Sequence, residues 1–281
     1  MIIDGKKIAN EILENLKKEI LKHKIKPAIA VFLVGENEGS KIYVKMKKKA
    51  CDYVGINIIV KKFDEKISQK LLFEEIEKMN LDKNIDGILV QQPLPLQIDT
   101  YKATIAISPT KDVDGFHPLN LGKMMLGHRD GFFPCTPKGI ISLLEKSNID
   151  PSEKHVVIVG RSNIVGKPLA VMLMQKTKMS NATVTVAHSG TQNLKEITKS
   201  ADILITAIGK AKFITEDMVK AGSVVIDVGI NRENNKITGD VDFEKVYPLV
   251  KAITPVPGGV GPMTVASLME NTFQSFKMRK H

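Results

Sequence analysis

Apolar and polar positions switch between two periods along almost the whole chain. Ile8, Ile12, Leu13, Leu16 and Ile20 recur at helical spacing and predict one amphipathic helix. Residues 28–34 form an unbroken apolar run closed by Gly35, the signature of a buried strand. A helix over 40–53 follows, with Ser40 as its cap and Gly55 as its stop. Then come a strand at 57–63, a helix at 68–79 and a strand at 85–90. This βαβαβ series implies parallel strands covered by helices. A second series starts at His155. Its strands are expected at 156–159, 183–187, 203–207, 224–228 and 250–253, with helices at 168–175 and 194–200. Between the two series, 120–127 and 137–147 read as helical connectors. The pattern therefore predicts an α/β fold with two parallel-sheet domains, divided near residue 118. A last helix, 263–276, is expected to pack back on the first domain.

Composition narrows the partners. The chain has 281 residues and a formal net charge of +10, which fits anionic ligands. The lysines are spread along the chain, and solvated helix faces account for most of them. There is no Trp and only 5% of residues are aromatic, so stacking platforms for nucleic acid are scarce. With no recognition motif either, a nucleic-acid partner is not expected. Cys51 and Cys135 lie far apart without zinc-ligand spacing; they predict packing roles and a reduced, cytoplasmic setting. Residues 1–16 carry Asp4 and amphipathic spacing rather than the apolar core of a secretory leader. No apolar run approaches the roughly 20 residues of a membrane span.

Candidate chemistry sits at strand ends. The strand 156–159 runs into Gly160-Arg161-Ser162-Asn163-Ile164-Val165-Gly166-Lys167-Pro168. Strand, Gly-bearing turn and helix start place backbone N–H groups against a phosphate, although a plain tight turn has the same pattern. Ser162 stands where the second glycine of a G-x-G-x-x-G would be. The next strand ends at His188-Ser189 with no acid to hold ribose hydroxyls. Arg161 is available instead, which suits a 2′-phosphate and favours NADP over NAD. His188 is given no chemistry. Two further strand ends carry glycine, Ala207-Ile208-Gly209 and Asp227-Val228-Gly229-Ile230-Asn231.

In the first series, Tyr43 and Lys47 lie four apart and share a helix face. Ring and amine together suit a flat, partly polar substrate; a solvated basic helix with one half-buried Tyr is the other reading. Gln91 follows a strand at its carboxyl end. Asp112 and Asp114 flank one Val; they could bind a metal, but no oxygen-rich cluster accompanies them. A single carboxylate holding an amino-substituted heterocycle is the competing reading. Thr254 to Thr264, TPVPGGVGPMT, reads either as a rigid turn or as a backbone-lined ligand wall, with Pro262 at a helix start.

Taken together, SKIYVKMK (40–47), GILVQQPLP (87–95), KDVDGFHP (111–118), GRSNIVGKP (160–168), VIDVGIN (225–231), GDVDF (239–243) and TPVPGGVGPMT (254–264) resemble the bifunctional methylenetetrahydrofolate dehydrogenase/methenyltetrahydrofolate cyclohydrolase family, in order over nearly the whole chain. The resemblance implies two α/β domains flanking a cleft, the second a Rossmann-type NADP-binding domain. The expected bounds are 1–118 plus 263–281 for the folate-binding catalytic domain and 119–262 for the NADP domain. It implies oxidation of 5,10-methylenetetrahydrofolate with NADP+ and hydrolysis of the product to 10-formyltetrahydrofolate. Lys47 would be the catalytic lysine, Tyr43 would pack on the folate ring, Gln91 would position Lys47, and Asp114 would bind the pterin. Pro257 and Gly258 would line the folate side. Gly160, Arg161, Ser162, Ser189, Ala207, Ile230, Gly261 and Thr264 would face NADP. The resemblance also implies a homodimer, no metal, and tetrahydrofolate derivatives, with or without a polyglutamate tail, as substrates. Lys47 would need to be neutral for part of the cycle, which nearby positive charge would assist. The competing readings are another NADP-linked oxidoreductase acting on a shikimate-like acid and a nucleotide-sensing protein without turnover.

Overall fold

The structure is a computed structural model, and it describes residues 1–233 and 236–279. Residues 280 and 281, which close the first expected domain, and 234 and 235, inside the second, lie outside the described residues. In chain order the elements are α1 (Gly5–Ile20), β1 (Ala28–Val34), α2 (Glu38–Val54), β2 (Asn57–Phe63), α3 (Gln69–Leu81), β3 (Gly87–Val90), α4 (Thr100–Ile105), α5 (Pro118–Met125), α6 (Cys135–Lys146) and β4 (His155–Val159). There follow α7 (Gly166–Met174), β5 (Thr183–Ala187), α8 (Leu194–Lys199), β6 (Ile203–Thr206), β7 (Val224–Asp227), β8 (Asn231–Glu233), β9 (Lys236–Thr238), α9 (Phe243–Val246), β10 (Ala252–Ile253) and α10 (Val260–Arg279). Two compact units result. One holds residues 10–135 and 265–281, the other 1–9 and 136–264.

The first unit is built on a three-stranded parallel sheet in the order β2-β1-β3. β1 is central and buried along its whole length, whereas β2, at the edge, alternates between exposed and half-buried positions. That contrast explains why 28–34 is uniformly apolar while 57–63 carries lysines. Phe32, Ile88, Leu72 and Ile76 form the core, with α3 supplying the last two. Residues 265–279 belong to this unit. There Ser275 Oγ donates to the Asp86 carbonyl at 2.5 Å, and Arg279 pairs with the Asp86 carboxylate at 3.2 Å.

The second unit carries a five-stranded parallel sheet in the order β10-β7-β6-β4-β5, with the antiparallel ribbon β8-β9 beside it. β4, β6 and β7 are its buried centre. β4 pairs with β5 on one side and β6 on the other, so strand order reverses between β4 and β6. In open α/β sheets that reversal opens a crevice at the carboxyl ends of the strands, where ligands bind. Gly160 and Ala207 are the residues that follow those two strands.

The elements depart from the sequence pattern at several points. The last helix begins at Val260, not after Pro262. Pro262 sits within its first turn, where backbone N–H groups have no intrahelical acceptor and proline costs nothing. The short helix α4, capped by the Asp99 side chain, and the ribbon β8-β9 have no periodic pattern to announce them. The strand expected over 250–253 shortens to Ala252–Ile253.

Candidate functional site

Helix α2 positions the first set of side chains. Asn37, not the expected Ser40, caps it by accepting from the Ser40 N–H, so the helix starts at Glu38, and Gly55 ends it in the left-handed conformation at φ +88°. Val44, Lys47, Cys51 and Val54 fall on its buried stripe, so Lys47 occupies a position the helix otherwise gives to apolar residues. Lys47 is 8% exposed, and Tyr43, one turn earlier, is half-buried. Lys47 Nζ donates to Gln91 Oε1 at 2.8 Å. The other end of that amide, Nε2, donates to the Gln92 carbonyl at 2.8 Å, which fixes which oxygen faces the lysine. Gln91 itself continues the strand pairing past β3, its N–H bonding to the Phe32 carbonyl. Ser40 Oγ bonds to the Gln92 carbonyl at 3.1 Å, so helix and strand end hold one another.

The loop 111–117 delivers Asp114. Lys111 Nζ pins its start to the Met79 and Asp82 carbonyls at 2.8 and 2.7 Å. Asp112, 1% exposed, accepts from the Gly115 and His117 N–H groups and from Asn120 Nδ2. Asn271 Nδ2 donates to the Val113 and Phe133 carbonyls at 2.9 and 3.0 Å. Asp112 is thus a loop-shaping residue, and Asp114 is the carboxylate left to face Lys47.

The electrostatics of the pair are set by burial. Desolvation lowers the Lys47 pKa, and the Asp114 charge opposes it; burial in turn raises the Asp114 carboxyl, opposed by the lysine. The positive neighbours expected to depress Lys47 are not the cause: removal from water is. The result is an amine that can lose its proton more readily than a free lysine, hydrogen-bonded to a neutral acceptor. Cys51 is pushed up to about 12 by burial, which fits a packing role rather than a nucleophile.

The second set lies in the five-stranded unit. Gly160 takes φ +128°, and a Cβ there would lie 2.3 Å from the Ala207 carbonyl oxygen. A Cβ at Gly166 would lie 2.0 Å from the Gly160 carbonyl oxygen, so the turn needs glycine at both ends. Ser162 Oγ accepts from the Val165 N–H at 3.1 Å, just ahead of α7. Arg161, Ser162 and Ser189 are exposed. Arg161 Nη1 lies 3.4 Å from His188 Nε2. His188 Nδ1 lies 3.1 Å from the Gly190 N–H, so both ring nitrogens sit within hydrogen-bond distance of a donor. His188, given no role from sequence, thus joins this group. Ile230, after β7, is exposed.

The segment 254–264 belongs to the same unit. Thr254 Oγ1 accepts from the Asp227 N–H at 2.7 Å, the Val256–Pro257 bond is cis, and the Gly258 carbonyl accepts from Lys6 N–H at 2.8 Å. A Cβ at Gly5 would lie 2.0 Å from the Gly259 carbonyl oxygen, and one at Gly259 would lie 2.7 Å from the Pro255 carbonyl oxygen, so both positions must be bare. A Cβ at Gly261 would meet open space. Thr264 Oγ1 lies 3.0 Å from Thr136 Oγ1. Tyr43, Lys47, Gln91 and Asp114 are therefore gathered in one unit. Gly160, Arg161, Ser162, Ser189, Ala207, Ile230, Pro257, Gly258, Gly261 and Thr264 lie in the other.

Two family models match the chain. Residues 3–114 match the catalytic domain of tetrahydrofolate dehydrogenase/cyclohydrolase, and residues 134–280 match the NAD(P)-binding domain of the same enzymes. The chain belongs to the tetrahydrofolate dehydrogenase/cyclohydrolase family. It is 51% identical over 288 residues to the bifunctional protein FolD of Prosthecochloris aestuarii, covering 98% of both chains. The bifunctional FolD methylenetetrahydrofolate dehydrogenase/cyclohydrolase of Campylobacter jejuni is similar in structure, with a TM-score of 0.96, 47% identity and 99% coverage of each chain. The Trypanosoma brucei dehydrogenase-cyclohydrolase, solved with NADP cofactor and an inhibitor, aligns with a TM-score of 0.93 at 33% identity, over 99% of this chain and 97% of that one.

Within this family frame, Tyr43, Lys47, Gln91 and Asp114 lie in the segment matched by the catalytic-domain model, and the Gly160 turn lies in the NAD(P)-binding segment. Among the described residues no group of three or more His, Cys, Asp or Glu is placed to hold a metal. No helix among them is long and apolar enough to cross a membrane. Asp227, Asp240 and Thr254, with no individual role expected from sequence, are brought together by the fold behind the strand ends.

Proposed function

We propose that the chain oxidises 5,10-methylenetetrahydrofolate with NADP+ and hydrolyses the resulting 5,10-methenyl compound to 10-formyltetrahydrofolate. The observation that carries this reading is Lys47: a lysine on the buried stripe of α2, with a lowered pKa, bonded to Gln91 and facing Asp114. NADP+, when bound, supplies the hydride acceptor. The protein's own part in that step is orientation of the donor carbon. Tyr43 offers a half-buried ring face for the folate ring, and Asp114 a carboxylate for its amino and ring N–H groups. Hydrolysis needs a proton taken from water and one returned to the ring nitrogen. A neutral Lys47 takes the first and its ammonium returns the second, while Gln91 fixes the amine in place.

Exposed Arg161 and Ser189, with His188 beside the guanidinium, support the preference for NADP+, because a guanidinium and a hydroxyl suit a phosphate. The strand reversal beside Gly160 and the bare wall at 257–261 support cofactor binding on the same unit. In this reading the enzyme is a homodimer, as the family resemblance implies, and cytoplasmic, which the buried thiols of Cys51 and Cys135 support.

The test is a spectrophotometric assay of methylenetetrahydrofolate with NADP+ and with NAD+, and of methenyltetrahydrofolate hydrolysis, in wild type and Lys47→Met. Turnover with NADP+ and loss of hydrolysis in Lys47→Met are expected. Full hydrolysis by Lys47→Met would sink the assignment.

A further inference from the structure

Two buried carboxylates stand behind the loops that follow β6 and β7. Asp240 is 0% exposed and Asp227 4% exposed. Asp240 accepts from three successive backbone N–H groups, those of Ile208, Gly209 and Lys210, at 2.6, 3.2 and 2.9 Å. It also accepts from Asn231 Nδ2 at 3.0 Å. One carboxylate therefore ties the loop after β6 to the loop after β7. Asp227, the last residue of β7, accepts from the Gly229, Asp240 and Val241 N–H groups at 2.9, 3.0 and 2.9 Å, and from Thr206 Oγ1 at 3.3 Å. It thereby closes its own turn and fixes the backbone from which Asp240 reaches. Two glycines make room. A Cβ at Gly229 would lie 2.2 Å from the Asp240 carboxyl carbon, and one at Gly239 would lie 1.9 Å from Asp227 Oδ2.

We infer that Asp227 and Asp240 are positioning residues for the cofactor half-site. The loops they clamp follow the carboxyl ends of β6 and β7, and Ala207 is packed against Gly160 of the phosphate turn. Their outer side carries Gly209, exposed and with open space where its Cβ would stand, and exposed Ile230. A nicotinamide cofactor lying along these strand ends meets backbone whose shape is set from behind, by N–H groups turned inward onto the two acids. A neutral amide cannot replace either acid, because its NH2 end is a second donor facing N–H donors. A hydrophobe would leave those N–H groups buried and unpaired. Burial raises the Asp227 carboxyl to about 6, and the neighbouring Asp240 charge adds to the rise.

The inference rests on the cofactor reading above, and the experiment separates the two. NADP+ is titrated calorimetrically into wild type and Asp240→Asn. Steady-state kinetics give the dehydrogenase KM for NADP+, and methenyltetrahydrofolate supplied directly gives hydrolysis without cofactor. Expected is a Kd and KM for NADP+ raised at least tenfold in Asp240→Asn, with kcat/KM for hydrolysis within about twofold of wild type. Equal NADP+ affinity in a folded Asp240→Asn overturns the inference, and so does a parallel fall of both activities, which marks a merely structural role. If Asp240→Asn does not fold, Asn231→Leu, which removes one contact to Asp240, is tested by the same split. It is expected to raise the NADP+ Kd about threefold, and no change overturns the inference. A wild type that neither binds nor reduces NADP+ sinks the cofactor reading itself.

Discussion

Replacing Gln91 with glutamate puts a carboxylate where a neutral amide oxygen now stands, 2.8 Å from Lys47 Nζ. Lys47 is held below the ordinary lysine value by burial, against the opposing charge of Asp114. Two unit charges at that separation attract by about 1.5 kcal/mol under full water screening and by about 6 kcal/mol at an effective dielectric of about 20. At about 1.4 kcal/mol per unit, the Lys47 pKa rises by about one unit at the least and about four at the most. A higher pKa leaves less neutral amine at every pH below it, and in the proposed mechanism hydrolysis needs neutral amine to accept the proton of water. Gln91→Glu is therefore expected to move the acid limb of the hydrolysis profile upward by about one unit or more. The rate at neutral pH falls about tenfold or more in consequence. Gln91→Met removes the acceptor without adding charge; it is expected to lower the rate while the acid limb does not move upward. The assay follows loss of methenyltetrahydrofolate absorbance across pH, corrected for spontaneous hydrolysis. An acid limb at the same pH in wild type and Gln91→Glu would refute the reasoning, whatever the rate.

Arg161→Gln is expected to raise the KM for NADP+ about tenfold or more and to leave that for NAD+ within about threefold, since only the former offers a phosphate to the lost guanidinium; initial-rate kinetics with both cofactors decide it. Asn271→Leu strips the donor from the buried Val113 carbonyl and the part-buried Phe133 carbonyl and is expected to cost about 2–4 kcal/mol in urea unfolding, with hydrolysis falling further than NADP+ affinity. Phe32→Ala empties the centre of β1, where the ring stacks on Phe63, and is expected to cost about 3–5 kcal/mol by the same measurement.

The strands were legible for two reasons: 28–34 is a continuous apolar run and becomes the buried β1, while 57–63 and 183–187 mix apolar with polar residues and become the edge strands β2 and β5. The site was legible in part. Tyr43 and Lys47 share a face by spacing alone, yet the run KMKKK reads as a solvated surface. The signal that Lys47 is buried was present in Val44, Cys51 and Val54, which with it make one stripe. The cause of its lowered pKa was not legible, because desolvation depends on what packs over the helix. The pairing of Asp227 with Asp240 was not legible either. Thirteen residues separate them, and the intervening ribbon β8-β9 carries no period that predicts it.

The hydrogen bonds of Asn271 to Val113 and Phe133 have a consequence for the order in which the protein is made. A chain emerging from the ribosome completes β1, α2 and β3 early, and domains generally fold as they appear. The carbonyls beside Asp114 must then wait for α10, whose Asn271 is 158 residues further along than Val113. The five-stranded unit waits in the same way, because the Ile3 N–H and the Met1 carbonyl pair with Ile253. Neither unit is one contiguous piece of chain, so neither can close cotranslationally until synthesis is nearly finished. A nascent chain therefore carries the carbonyls around Asp114 without their Asn271 donor for much of its time on the ribosome.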